Sequence, residues 1–141
     1  MKKVILKNRI LLMLMIAVSF AVLAGCGSKK AELDASGNAP ITARWRLVQF
    51  TVNGEVTRIN EQPWWMKVLF AGKNPSFSSP DGVKCVFSNN GKARDGRISL
   101  EDGVYHITFD GATAGLNGVI SGRILTITNE KGTLEFIFET Q

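Results

Sequence analysis

Three side chains in this sequence have the chemistry for covalent or acid–base work: the thiols of Cys26 and Cys85 and the imidazole of His106, the single histidine. A cysteine nucleophile needs a base within hydrogen-bond reach to hold it as thiolate. Cys85 and His106 fall on different segments at an unknown separation, which makes no dyad. Cys85 lies in Val83-Lys84-Cys85-Val86-Phe87-Ser88, where Val83, Cys85 and Phe87 share one strand face, so it reads as a small core residue. One histidine with one spare cysteine does not supply the three or four ligands of a zinc site. Asp81, Asp102 and Asp110 each precede a glycine but lack the carboxylate spacing and closing glutamate of a calcium loop, so turn chemistry accounts for them. No Gly-x-Ser-x-Gly elbow, phosphate loop or dinucleotide fingerprint occurs, and no carboxylate pair is obviously buried. The expectation is a protein that is not an enzyme and uses no metal or cofactor.

Cys26 asks for a different chemistry because of what precedes it. Lys2, Lys3, Lys7 and Arg9 are basic, and Ile10 to Leu23 is almost wholly apolar. That run of 14 residues spans about 21 Å as a helix, short of the ~30 Å hydrocarbon core. A basic start, a short apolar core and the small residues Ala24 and Gly25 form a signal peptide over residues 1–25, cut between Gly25 and Cys26. The formal charge of +5 belongs largely to this leader, since removing four of its seventeen cations leaves thirteen against twelve acids, a net +1. Nucleic acid is therefore not an expected partner.

Leu23-Ala24-Gly25-Cys26 resembles the lipobox of bacterial lipoproteins. The resemblance implies that the thiol of Cys26 is alkylated by a diacylglyceryl group and that a dedicated peptidase cuts before it. Each buried methylene contributes about 0.8 kcal/mol, so two or more chains hold a protein firmly where one does so reversibly. The expected address is the extracytoplasmic face of a cell membrane, with lipid on Cys26 as the anchor.

The elements that follow are short. Residues 26–40, Cys26 followed by Gly-Ser-Lys-Lys-Ala-Glu-Leu-Asp-Ala-Ser-Gly-Asn-Ala-Pro, are poor in β-branched and aromatic types and read as a flexible tether. From 41 to 141 the chain becomes one domain of β-forming runs broken by turn residues. Arg44 to Val52 ends at Asn53-Gly54 before Val56 to Ile59, a strong hairpin signal. Strands are also expected over 83–88, 97–100, 104–109, 116–121, 123–128 and 133–139, each bounded by glycine-bearing turns. Tyr105, Ile107 and Phe109 alternate with His106 and Thr108, and Leu134, Phe136 and Phe138 alternate with Glu135, Ile137 and Glu139, as antiparallel sheet with one buried face requires. About eight such strands predict an all-β sandwich or closed barrel, and a small antiparallel meander barrel is favoured because closure leaves no exposed edge. Asn60 as cap, Pro63 in the first turn and Gly72 as stop predict one short helix across one end, with a strand over Trp64 to Phe70 as the competing reading.

The runs 45–54, 75–92, 102–109 and 120–139 are together similar to the small lipocalin-like domains of bacterial surface lipoproteins. The resemblance implies a meander barrel with an interior cavity. Trp45 is expected at the barrel floor or in its core, with contact to a ligand or partner as the lesser reading. Trp64 and Trp65 are adjacent and cannot both face inward, so they are candidates for contact with a small apolar ligand or an envelope protein at the barrel mouth. The leading expectation is a non-enzymatic binding lipoprotein. The alternative is a structural or interaction module of an envelope complex, with a filled core and no ligand.

Overall fold

Asn53 and Gly54 adopt φ of 50° and 87°, the left-handed pair that a two-residue hairpin turn needs, and they join β1 (Arg44–Val52) to β2 (Glu55–Arg58). Asp102 and Gly103, at φ of 51° and 79°, do the same between β5 (Lys92–Glu101) and β6 (Val104–Phe109). The computed structural model describes residues 30–62, 75–89 and 91–140. Its remaining strands are β3 (Ser76–Ser78), β4 (Lys84–Asn89), β7 (Leu116–Ser121), β8 (Ile124–Asn129) and β9 (Leu134–Glu139). All pair antiparallel.

The ladder runs β1-β3-β4-β5-β6-β7-β8-β9, and β9 returns to β1, so eight strands close a barrel while β2 lies alongside the upper half of β1. β1 serves both neighbours along one edge: Arg44 to Arg46 face β3, and Gln49 to Val52 face β2. Closure through β1 and β9 depends on a bulge. The apolar residues of β1 stand at 45, 47, 48, 50 and 52, a pattern that changes parity at Leu47-Val48. The register against β9 shifts between Leu47 and Gln49, so that Leu47 faces Phe138 and Phe50 faces Phe136. Val48 takes up the extra residue, and both halves of β1 point their apolar side chains inward.

The interior is packed from the lower end upward. Trp45, Phe77, Phe138, Ile107, Leu125 and Cys85 are at most 1 % exposed. The Phe77 and Phe138 rings lie 6.0 Å apart, and Phe87 meets Phe138 edge-on at 6.3 Å. At the β3–β4 turn the buried Ser79 hydroxyl donates to the Lys84 carbonyl at 2.7 Å. There the Asp81 carboxylate accepts from the Val83 and Lys84 amides at 2.9 and 2.7 Å. Those amide bonds hold its pKa below the ordinary 3.8. Val83, expected to share a buried face with Cys85 and Phe87, precedes β4 and is 60 % exposed, beyond the buried stretch at the lower end.

The expected tether is shorter than its composition implies. Asp34 Oδ1 accepts from the amides of Ser36 and Asn38, and Asn38 Oδ1 in turn accepts from the Gly122 amide at 2.7 Å. The Ala39 amide donates to the Gly122 carbonyl at 2.8 Å, and Ala39 and Ile41 enter the core. Residues 34–41 thus form the barrel floor rather than a free linker. Short polar side chains and an alanine, unable to build a core of their own, are ordered by the turn between β7 and β8.

Two further departures concern the segment before β4. β3 is not among the strands expected above: three residues, with serines around Phe77, are too few for a period, and only pairing with β1 and β4 makes them a strand. Asn60 does not cap a helix. It sits within a 3₁₀ turn, Ile59–Glu61, whose flanking Gln62 is extended at φ −66°, ψ 146°. The rest of the expected helix, and the competing strand over Trp64 to Phe70, lie outside the described residues.

Candidate functional site: the barrel interior and its upper mouth

Two glycines face inward at mid-height and report how much space is left there. A Cβ on Gly118 would stand 3.3 to 3.5 Å from Ile107 Cδ1, Leu125 Cδ1 and Tyr105 Cβ. On Gly96 it would stand 2.6 Å from the Thr108 carbonyl oxygen, 2.9 Å from the Phe109 ring and 3.1 Å from Cys85 Sγ. A methyl group does not fit beside Gly96 without moving backbone. The absence of a side chain there lets β5 and β6 carry the Phe109 ring over the strand. Gly96→Ala is expected to lower unfolding free energy by about 1–3 kcal/mol, read from the midpoint of a urea titration.

Above this level the packing loosens. Phe50, Phe87, Phe109, Phe136, Leu116 and Leu134 point inward by register yet are only half-buried. Phe87 and Phe109 meet edge to face at 6.4 Å, continuing the aromatic column of the core toward the rim. The rim itself carries Val52, 40 % exposed, beside the Asn53-Gly54 turn. The Asn53 amide donates to the Thr133 carbonyl at 2.8 Å, which ties that turn to the β8–β9 turn. The upper mouth is therefore lined by half-buried phenylalanines and leucines, and these inward-facing side chains offer apolar contact.

The residues with chemistry are placed apart. Cys85 faces the interior from β4, while His106 stands on the outer wall of β6, where Nδ1 lies 3.0 Å from Asn117 Oδ1. Glu101 Oε2 is 3.9 Å from His106 Nε2, and both side chains are exposed. The barrel wall separates imidazole from thiol. Burial, with the Asp110 and Asp95 carboxylates adding to it, pushes the Cys85 thiol up to about 11. Iodoacetamide at pH 8 is expected to alkylate folded Cys85 on the order of a hundredfold more slowly than the denatured chain, followed by intact mass. Among the described residues no three histidines, cysteines or carboxylates are grouped to hold a metal.

Of the residues singled out in the sequence, Trp45 is fully buried, and its indole Nε1–H donates to the Ile41 carbonyl at 3.1 Å. It belongs to the floor and does not reach the mouth. Gly25, Cys26, Trp64 and Trp65 lie outside the described residues. The mouth phenylalanines were not singled out. Their signal lay in the sequence as the parity change between Leu47 and Phe50, which only pays its meaning once the bulge is placed. Comparison with protein-family models, with curated proteins and with solved structures gives no match to this chain.

Proposed function

We propose that this chain is a lipid-anchored, extracytoplasmic, non-enzymatic lipoprotein whose lipocalin-like barrel meets an envelope partner protein at its upper mouth. The observation that carries the reading is the packed lower and middle interior: Trp45, Phe77, Phe138, Ile107, Leu125 and Cys85 are at most 1 % exposed, and a Cβ at Gly96 would stand 2.6 Å from the Thr108 carbonyl oxygen. That packing favours the interaction module over the deep ligand carrier. A second reading, a small apolar ligand seated shallowly on Phe50, Phe87, Phe109 and Phe136, draws on their partial exposure. Trp64 and Trp65 remain contact candidates on their sequence alone. The anchor rests on the lipobox-like Leu23-Ala24-Gly25-Cys26 and its leader, and the absence of enzymatic activity on a buried, protonated Cys85 walled off from His106.

The test is photocrosslinking in intact cells. A benzophenone side chain introduced at Val52 on the rim is expected to give one discrete adduct, and the same group at Val119 on the outer wall is expected to give none. The adduct mass distinguishes a protein from a small molecule. Equal labelling from both positions, or no adduct from Val52, overturns a mouth-centred function.

A further inference from the structure

The barrel's lower end carries an apolar rim that the core does not use. β5 is ten residues long and overshoots the floor, so Leu100 is 60 % exposed although its register follows that of buried Ile98. Val83, also 60 % exposed, accepts the Ile98 amide on its carbonyl at 2.8 Å. It stands diagonal to Leu100 across the strand pair, within contact range of a long side chain. Leu100 faces Tyr105 across the β5–β6 hairpin. Leu33, 41 % exposed, precedes Asp34, whose amide donates to the Asn38 carbonyl at 2.8 Å, while Asn38 Oδ1 holds the Gly122 amide of the floor. Val83, Leu100 and Leu33 thus all stand at the floor end of the barrel.

The chain outside this end fixes what can cover it. Ala31 packs against the core at the floor, and four residues separate it from Cys26. Fully extended, the five Cα-to-Cα steps reach at most about 18 Å. Charges near the rim are mixed, Lys84 and Arg97 against Asp34, Asp81, Glu101 and Asp102, so the apolar side chains are set among charges of both signs. We infer that the floor rim of Val83, Leu100 and Leu33 rests on the lipid surface that holds Cys26, so that the barrel stands with its mouth turned away from the membrane. This rests on the lipid-anchor reading. It adds an orientation: the side chains sink into the headgroup and upper acyl region while the rim at Val52 stays in water, open to a partner.

The full-length protein, purified from membranes and reconstituted into phosphatidylcholine vesicles, tests this. An environment-sensitive dye is placed on Leu100→Cys and, separately, on Lys131→Cys in the β8–β9 turn of the mouth. Cys85 is buried and stays unlabelled. The dye at position 100 is expected to shift to the blue and lose most of its emission to lipids bearing a nitroxide high on the acyl chain, at low and high salt alike. The dye at 131 is expected to behave as in buffer. Equal quenching at both sites, quenching at 131 alone, or a blue shift at 100 that lipid nitroxide does not quench, as against a second copy of the chain, overturns the orientation. Intact mass of the same sample separates the two ideas: lipid on Cys26 with no quenching at 100 removes the docking alone, and an unmodified Cys26 removes the anchor and the docking with it.

Discussion

Trp45→Ala is expected to lower the unfolding free energy by about 3–5 kcal/mol, the range for removing a large buried aromatic. Domains of this size have about 5–15 kcal/mol in total, so the variant is expected to be partly unfolded at moderate temperature. Three interactions meet at this side chain. It is fully buried among the lower core, it sits opposite Phe77 in the β1–β3 pair, and its indole N–H satisfies the carbonyl of Ile41. Through Ile41 it connects the first strand to residues 34–41, the segment that forms the floor. Trp45→Phe separates the contributions, since a ring remains while the Ile41 carbonyl loses its donor; the hydrogen bond is worth about 1 kcal/mol. Urea titrations of both variants read the difference. A cost below about 1 kcal/mol for the alanine variant would mean that the floor is not held by this residue.

On the lipid-anchor reading, Cys26→Ser is expected to empty the membrane-bound pool almost completely. A hydroxyl cannot form the thioether, and without acyl chains the mature surface, at a net charge of about +1 without its leader, has little electrostatic attraction to a bilayer. Phase partition in a cloud-point detergent reads the effect: wild type in the detergent phase, the variant in the aqueous phase. Intact mass of wild type is expected to lack residues 1–25 and to carry diacylglycerol. An unmodified Cys26 on a soluble wild-type product would remove the anchor from the account. Among the described residues the contacts of the barrel begin at Ala31 and Asp34, so the barrel itself does not rest on this outcome.

Much of the barrel wall is legible residue by residue. Arg44–Val52, Val104–Phe109 and Leu116–Ser121 follow from their apolar and β-forming runs with the bounds they have in the fold, because each is flanked by a turn whose chemistry is local. β5 is less legible. Arg97 to Leu100 alternates visibly, yet the strand begins at Lys92, since charged residues can line an exposed wall as readily as a loop. The mouth is the least legible part of the site. Phe50 and Phe136 look alike in the sequence to Phe77 and Phe138, and their different exposure comes from height in the barrel, which no local pattern encodes.

The amino-acid sequence by itself determined where strands begin and turn, because alternation acts over two residues and an Asn-Gly or Asp-Gly pair carries its own backbone preference. It also holds the lipobox-like tetrapeptide, a signal written in adjacent residues. Tertiary structure alone decided the closure of β9 on β1, the bulge at Val48 that lets both halves of β1 face inward, the three-residue β3, and the folding of residues 34–41 into a floor. Each of these depends on partners far along the chain, as Asn38 on Gly122, 84 residues away, and contacts of that range are set by what packs in three dimensions rather than by what stands next in line.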